Sequence, residues 1–284
     1  MNIIPITINE LLKDKLLLLE KALDSDIIAI KSPIREGLDN LTLNAIELLK
    51  ANSTKEKLSV FLTTTGGTVE ISERLVYIFR KHYSTVDFIV PDYAYSAGTI
   101  LCMSGDDILM DYYSVLGPID PQVMNRDNRF VPALGYLEKI NDLIALARQG
   151  EISQAEFLIL KDFDLAELKR YEQARDLSIS LLKEWLVKYK FKNWNTTETK
   201  KDTVTEEMKV QRAEDIARKL SDHNRWLTHG RPLNIDKLNN LGLIINDFSD
   251  DKELRMLIRD FHNMMIENMR ASGMEFQVIT KEHL

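Results

Sequence analysis

Between about residues 25 and 122 short apolar runs alternate with amphipathic stretches, and that alternation restricts the chain to layered α/β architectures. Ile27 to Ile30 and Leu58 to Thr63 read as buried strands, the second ended by Thr64-Thr65-Gly66-Gly67. Val69 to Tyr83 follows as a helix with Val69, Leu75, Val76, Ile78 and Phe79 on one broad face. Val86 to Val90 is a third strand, stopped by Pro91, and Ile100 to Met103 lies on a short helix after Ser96. Ile108 to Met110 and Val115 to Ile119 read as further short strands. After Pro132 glycine becomes scarce, and Leu, Glu, Lys and Ala recur at helical spacing. Helices are expected at about 134–148, 153–161, 165–190, 206–222, 235–241 and 251–271. The 284 residues allow one large domain or two. The expected division is an α/β core over 1–132 and a helical extension over 133–284 packed on it as one unit, with Asn193 to Thr205 as the linker.

Two segments place small residues directly after a strand, where a helix begins. In Thr63-Thr64-Thr65-Gly66-Gly67-Thr68 the paired glycines let the backbone approach a bound group and turn N–H donors outward, which suits a developing oxyanion. In Ala94-Tyr95-Ser96-Ala97-Gly98-Thr99, Ser96 stands at a helix start with the Ala97 N–H beside it, a geometry suited to a nucleophile. Singly, a Gly-Gly after a strand is commonly a turn, and Ser-Ala-Gly commonly a helix cap. Together they differ, because the stretch between Gly67 and Ser96 holds one helix, one strand and a loop, so both strand ends face one crevice.

Over Leu58 to Gln122 the chain resembles the Clp-fold serine peptidases of the crotonase-like superfamily. The likeness runs through strand, Gly66-Gly67, helix, strand, Tyr95-Ser96-Ala97-Gly98 and Leu116-Gly117-Pro118-Ile119-Asp120-Pro121-Gln122. Within that superfamily it resembles the serine dehydrogenase proteinase family, relatives of signal peptide peptidase A and the Clp proteolytic subunit, also around Trp226-Leu227-Thr228-His229-Gly230-Arg231. The resemblance implies a ββα superhelical core with a long helical C-terminal half. It makes Ser96 the nucleophile, Gly67 and Ala97 the oxyanion donors, and Gly66, Gly98 and Asp120 supporting residues. Asp120 falls near the position of the Clp subunit's histidine, and no histidine lies between His82 and His223, so a Clp-type triad is not expected.

Signal peptide peptidases use a serine–lysine dyad, and Lys139, on the first helix of the second half, is the corresponding base here. A lysine base must be neutral, so burial or a neighbouring cation has to bring its pKa from about 10.4 towards 7 to 8. His229 is the alternative base, in a His-Gly-Arg turn of an otherwise helical region. The expected activity is an ATP-independent serine endopeptidase that cleaves exposed or unfolded peptide segments through an acyl-enzyme and assembles as a homo-oligomer. Two other readings keep the fold: a catalytically silent scaffold or regulatory subunit, and a crotonase-type acyl-CoA enzyme. The serine at the helix start favours the peptidase over the latter. No Gly-x-Gly-x-x-Gly fingerprint calls for a nicotinamide, and no cofactor is expected.

Thirty-seven basic against 44 acidic residues give a net charge of −7, the wrong sign for broad phosphate neutralisation, so no nucleic-acid partner is expected. Cys102 is the sole cysteine and reads as a packed core thiol, and His223 and His229 lack the spacing of a ligand pair, so no metal is expected. The first twenty residues show no basic start before an apolar run, and Leu16 to Leu19 is far short of a span. A cytoplasmic protein without a membrane anchor is therefore expected.

Overall fold

Strand β1 (Asp26–Lys31) carries Ile28 and Ile30 on one side and Ile27 and Ala29 on the other, all fully buried. A strand apolar on both sides has to lie inside a sheet covered on both faces. The computed structural model describes residues 3–120, 122–124, 130–197 and 201–284, with side chains described except at 3–7, 122–124, 130–132 and 223. In it β1 pairs in parallel with β2 (Lys57–Thr63), β2 with β3 (Thr85–Ile89), β3 with β5 (Asp107–Met110) and β5 with β9 (Asn246–Asp247). An antiparallel strand, β10 (Gln277–Ile279), covers the outer edge of β1, giving the order β10-β1-β2-β3-β5-β9. Two short pairs stand apart: β4 (Tyr93–Ala94) with β6 (Val115–Leu116), and β7 (Gln122–Met124) with β8 (Phe130–Pro132). The expected strand over Val115–Ile119 ends at Leu116, where pairing with Leu233 takes over, and Pro118 has no N–H to continue it.

One face of the sheet packs on α2 (Leu38–Ala51), α3 (Val69–His82) and α4 (Ala97–Cys102). The same core takes in Leu181, Leu182 and Trp185 of α7 (Leu165–Trp185), Ala213 to Leu220 on α8 (Glu206–Leu220), and Leu238 of α10 (Ile235–Leu241). The remaining helices of the second half are α5 (Ala133–Gln149), α6 (Gln154–Asp162) and the short α9 (His223–Trp226). The other face packs on α1 (Ile3–Leu23) through Leu12, Leu16 and Leu19, and on α11 (Lys252–Ser272) through Ile258, Phe261 and Met265. Phe61 meets Phe261 edge to face at 5.0 Å, and each such buried side chain contributes about 1.5 to 3 kcal/mol relative to exposure.

The second half is thus more than a helical layer, since β9, β10 and α11 complete the sheet and its far face. The helix expected over 165–190 is α-helical to Trp185 and then widens into a π-helical turn, Leu186–Lys190. The expected linker lies partly outside the described residues. Its described part folds back on itself through a Thr196–Thr203 bridge, with Trp194 against the main core.

At the amino end of the sheet, Asp26 is fully buried and accepts from Ser53 Oγ at 2.9 Å, Tyr83 Oη at 3.0 Å and Lys281 Nζ at 3.1 Å. Lys281 also reaches Glu20 at 3.0 Å, so the buried charges at this end are paired.

Candidate active site

Ser96 lies where β4 ends and α4 begins, at the carboxyl end of the parallel strands, and it is 3% exposed. Its backbone sits at φ 52, ψ −115, a conformation that L residues rarely adopt. Such strain amounts to about 1 to 3 kcal/mol and persists only where the surroundings over-determine it. Those surroundings are identifiable. The Gly98 N–H donates to the Tyr95 carbonyl at 2.8 Å, and Thr64 and Tyr95 tie the ends of β2 and β4 together through two 3.0 Å bonds, from the Thr64 N–H to the Tyr93 carbonyl and from the Tyr95 N–H to the Thr64 carbonyl. The Thr99 hydroxyl stands 2.9 Å from the Ala94 carbonyl and 3.0 Å from that of Gly117, and accepts from the Gly117 N–H at 3.0 Å. Thr99 therefore clamps the turn to the segment leading to Asp120, a role that the sequence left unassigned although Thr99 follows Ser96-Ala97-Gly98 directly.

The glycines let the strand ends meet. A β-carbon on Gly66, whose φ is +91, would stand 2.6 Å from the Tyr95 carbonyl oxygen and 2.9 Å from Ser96 Cβ. One on Gly98 would stand 2.3 Å from Thr64 Cγ2. Gly67 bridges Ile34 in the loop after β1, with the Gly66 carbonyl accepting from the Ile34 N–H and the Thr68 N–H donating to the Ile34 carbonyl, both at 2.8 Å. The Gly67 N–H has no acceptor among the described residues. Ala97 is the first residue of α4, so its N–H is among those that a helix leaves unpaired.

The Ser96 hydroxyl donates to the Asp120 carbonyl at 3.3 Å. Asp120 is buried, and its Oδ1 accepts from the Leu134 N–H at 3.1 Å at the start of α5. Asp120, Leu134, Trp226 and His229 line one small cleft, which brings His229 beside Asp120 although more than a hundred residues separate them. Burial pushes the His229 pKa below its ordinary value and the Asp120 charge opposes that shift. His229 Nδ1 is buried without a hydrogen-bond partner among the described residues. The loop carrying it is strained as well, with exposed Leu227 at φ 65. Trp226 Nε1 anchors it by donating to the Lys219 carbonyl at 2.7 Å.

Lys139 is not brought into this set. It is exposed on α5, and its charge acts on Glu156 of α6. Cys102 is fully buried on α4, and burial raises its thiol pKa, so it offers no competing thiolate. Among the described residues no three His, Cys, Asp or Glu side chains gather as a metal site, and no helix is long and apolar enough to cross a membrane.

The arrangement is a hydroxyl on a strained turn bonded to the Asp120 carbonyl, with the buried Asp120 carboxylate and the His229 imidazole sharing one cleft. Two uncharacterized proteins of Methanocaldococcus jannaschii are similar. MJ1495 is 30% identical over 189 residues, covering 66% of this chain and 52% of that protein. MJ0137 is 25% identical over 202 residues, covering 71% and 57%. The chain thus spans a little over half the length of these relatives. Among solved structures, ClpP1 from Listeria monocytogenes superposes with a TM-score of 0.41 at 14% identity, covering 81% of this chain and 94% of that one. A mutant of 1510-N, a membrane-bound stomatin-specific protease, does so with a TM-score of 0.46 at 13% identity, covering 80% of each. The model of one family matches residues 41–200, more than half of the chain, and the chain belongs to that family, the ClpP-like SDH-type serine proteinases.

Proposed function

We propose that the protein is an ATP-independent serine endopeptidase in which Ser96 attacks the scissile carbonyl. The observation that carries this reading is the Ser96 turn, held at φ 52 with Gly66 pressed against it and the Ala97 N–H beside it. Ser96 Oγ bonds to the carbonyl carbon and its proton passes to His229, while the Gly67 and Ala97 N–H groups hold the oxyanion. Collapse of the tetrahedral intermediate expels the amine, which takes that proton, and water then hydrolyses the acyl-enzyme. Asp120 orients the relay through its carbonyl at Ser96 and its charge at His229. The lowered pKa of His229 keeps the imidazole neutral and able to accept a proton.

The Ser96–Lys139 dyad suggested by sequence is the second reading of the base; the exposure of Lys139 disfavours it, and the cleft that His229 shares with Asp120 favours the histidine. A homo-oligomer acting on exposed or unfolded segments in the cytoplasm completes the proposal. Helix α6 supports the assembly: it buries none of its residues, and Phe157, Leu158 and Ile159 on it are exposed, as is Leu165 beyond it. A single monomeric species in sedimentation would remove that part.

The test is labelling by a fluorophosphonate, alongside casein hydrolysis, of wild type, Ser96→Ala, His229→Ala and Lys139→Ala. Ser96→Ala is expected to lose label and about 10⁴-fold or more of activity. His229→Ala should follow it within about 10²- to 10⁴-fold, and Lys139→Ala should stay near wild type. Loss in Lys139→Ala with His229→Ala active would restore the dyad. A wild type that neither labels nor cleaves would leave the silent scaffold or the acyl-CoA enzyme, separated by binding of a coenzyme A thioester.

A further inference from the structure

On the α1 and α11 side of the sheet, a second cleft of about 470 Å³ opens between the end of β1, the β3–β4 turn and the end of α11. Lys31, Asp92, Tyr93, His262 and Glu275 are on its wall, with Met269 and Met274 adding apolar surface.

Lys31 lies in that cleft without the close anion that Lys190, Lys209 and Lys281 have. Lys190 lies 2.7 Å from Asp107, Lys209 lies 2.9 Å from Glu206, and Lys281 lies 3.0 Å from Glu20, so each has a carboxylate in contact. Lys31, half-buried, has no carboxylate within 4.0 Å among the described residues; its nearest partner is the Tyr93 ring, 5.5 Å from Nζ to the centroid. Asp92 acts on it only from beyond ion-pair distance. Burial lowers the Lys31 pKa and raises that of Asp92, as for charges that lack close partners. A half-buried ammonium without an anion is costly, and a carboxylate delivered to it forms a charge-assisted bond. Burial and the charges of Lys31 and Arg259 bring the His262 pKa to about 4, so that ring adds no charge to the cleft.

The cleft is connected to the Ser96 turn through two stacked rings. The Tyr93 ring stacks on that of Tyr95 at 5.4 Å, and Tyr95 directly precedes Ser96. The step from Tyr93 to Ser96 spans at most about 10 Å, which is about three residues of extended peptide.

We propose that Lys31 is a substrate-binding residue that receives a carboxylate of the bound peptide, either an Asp or Glu side chain near the scissile bond or the chain's own terminal carboxylate. This rests on the reading of Ser96 as a peptidase nucleophile. Asp92 is then the group with which the incoming carboxylate competes for Lys31.

The test uses peptides that differ by Glu or Gln at each of three positions on either side of the scissile bond, and a pair with free or amidated C-terminus. Fluorophosphonate labelling of Ser96 is measured in parallel. Wild type is expected to favour one carboxylate-bearing peptide by about tenfold or more in kcat/KM. The position of that preference, Glu over Gln or free over amidated terminus, identifies the source of the carboxylate. Lys31→Met should abolish the preference with the labelling rate retained, Lys31→Arg should keep it, and Asp92→Asn, which leaves Lys31 in place, should enlarge it. Labelling and casein cleavage without any carboxylate preference, or a preference that survives in Lys31→Met, overturns this proposal alone. A wild type that neither labels nor cleaves overturns the peptidase reading and this one with it.

Discussion

The two ends of the parallel sheet are built on opposite principles. At the amino end Asp26, Glu20, Lys281, Tyr83 and Ser53 satisfy one another at 2.9 to 3.1 Å, and Lys55 donates to the Glu20 and Ser25 carbonyls at 3.1 and 3.2 Å. At the carboxyl end the same molecule holds a strained serine, two backbone donors without acceptors among the described residues, and a lysine with no carboxylate in reach. Both ends are shielded, so burial alone does not separate them. What separates them is pairing: at one end the polar groups satisfy one another, and at the other several have no partner among the described residues.

This contrast can be broken by substitution. Asp26→Ala, which strands Lys281, Tyr83 and Ser53, should destabilise by about 3 to 5 kcal/mol in denaturant titration, with the labelling rate of the folded fraction unchanged. A matching loss of labelling would show that the two ends are not separate. At the other end Gly66→Ala should leave folding cooperative but slow labelling about 10²-fold, because the methyl displaces Tyr95 and Ser96. The pH profile sharpens the assignment of the base. The His229 pKa lies below its ordinary value of 6.5, so activity and the ring's contribution to stability are intact above that pH and decline as pH falls through the lowered folded value. An acid limb of kcat/KM above neutrality would instead indicate a lysine. The smallest change in stability is expected from Ser96→Gly, which relieves the strained φ and should raise stability by about 1 kcal/mol in a thermal melt.

The Ser96 turn was legible in the sequence because its determinants are local: a strand, a glycine pair, a helix, then a serine before small residues. The helices of the second half were legible for the same reason, since Leu181, Leu182 and Trp185 recur at helical spacing. Helix α1 was passed over although Leu12, Leu16 and Leu19 carry its period, because Leu16 to Leu19 was weighed only as a membrane-directed run. That His229 shares a cleft with Asp120 was not legible, because the two segments lie far apart in the chain. Nor was the significance of Lys31, a lysine at the end of an apolar strand, since whether it has a carboxylate beside it depends on how α11 and the β3–β4 turn pack.

The antiparallel strand β10 also has a consequence for biosynthesis. Strand β1 is apolar on both faces, and until β10 arrives the N–H and C=O groups along one edge of it have nothing to pair with. Residues 277–279 leave the ribosome long after residues 26–31, so the nascent chain carries an open, sticky edge until they emerge. Strand β10 is therefore the one that protects β1 from pairing with a neighbouring chain.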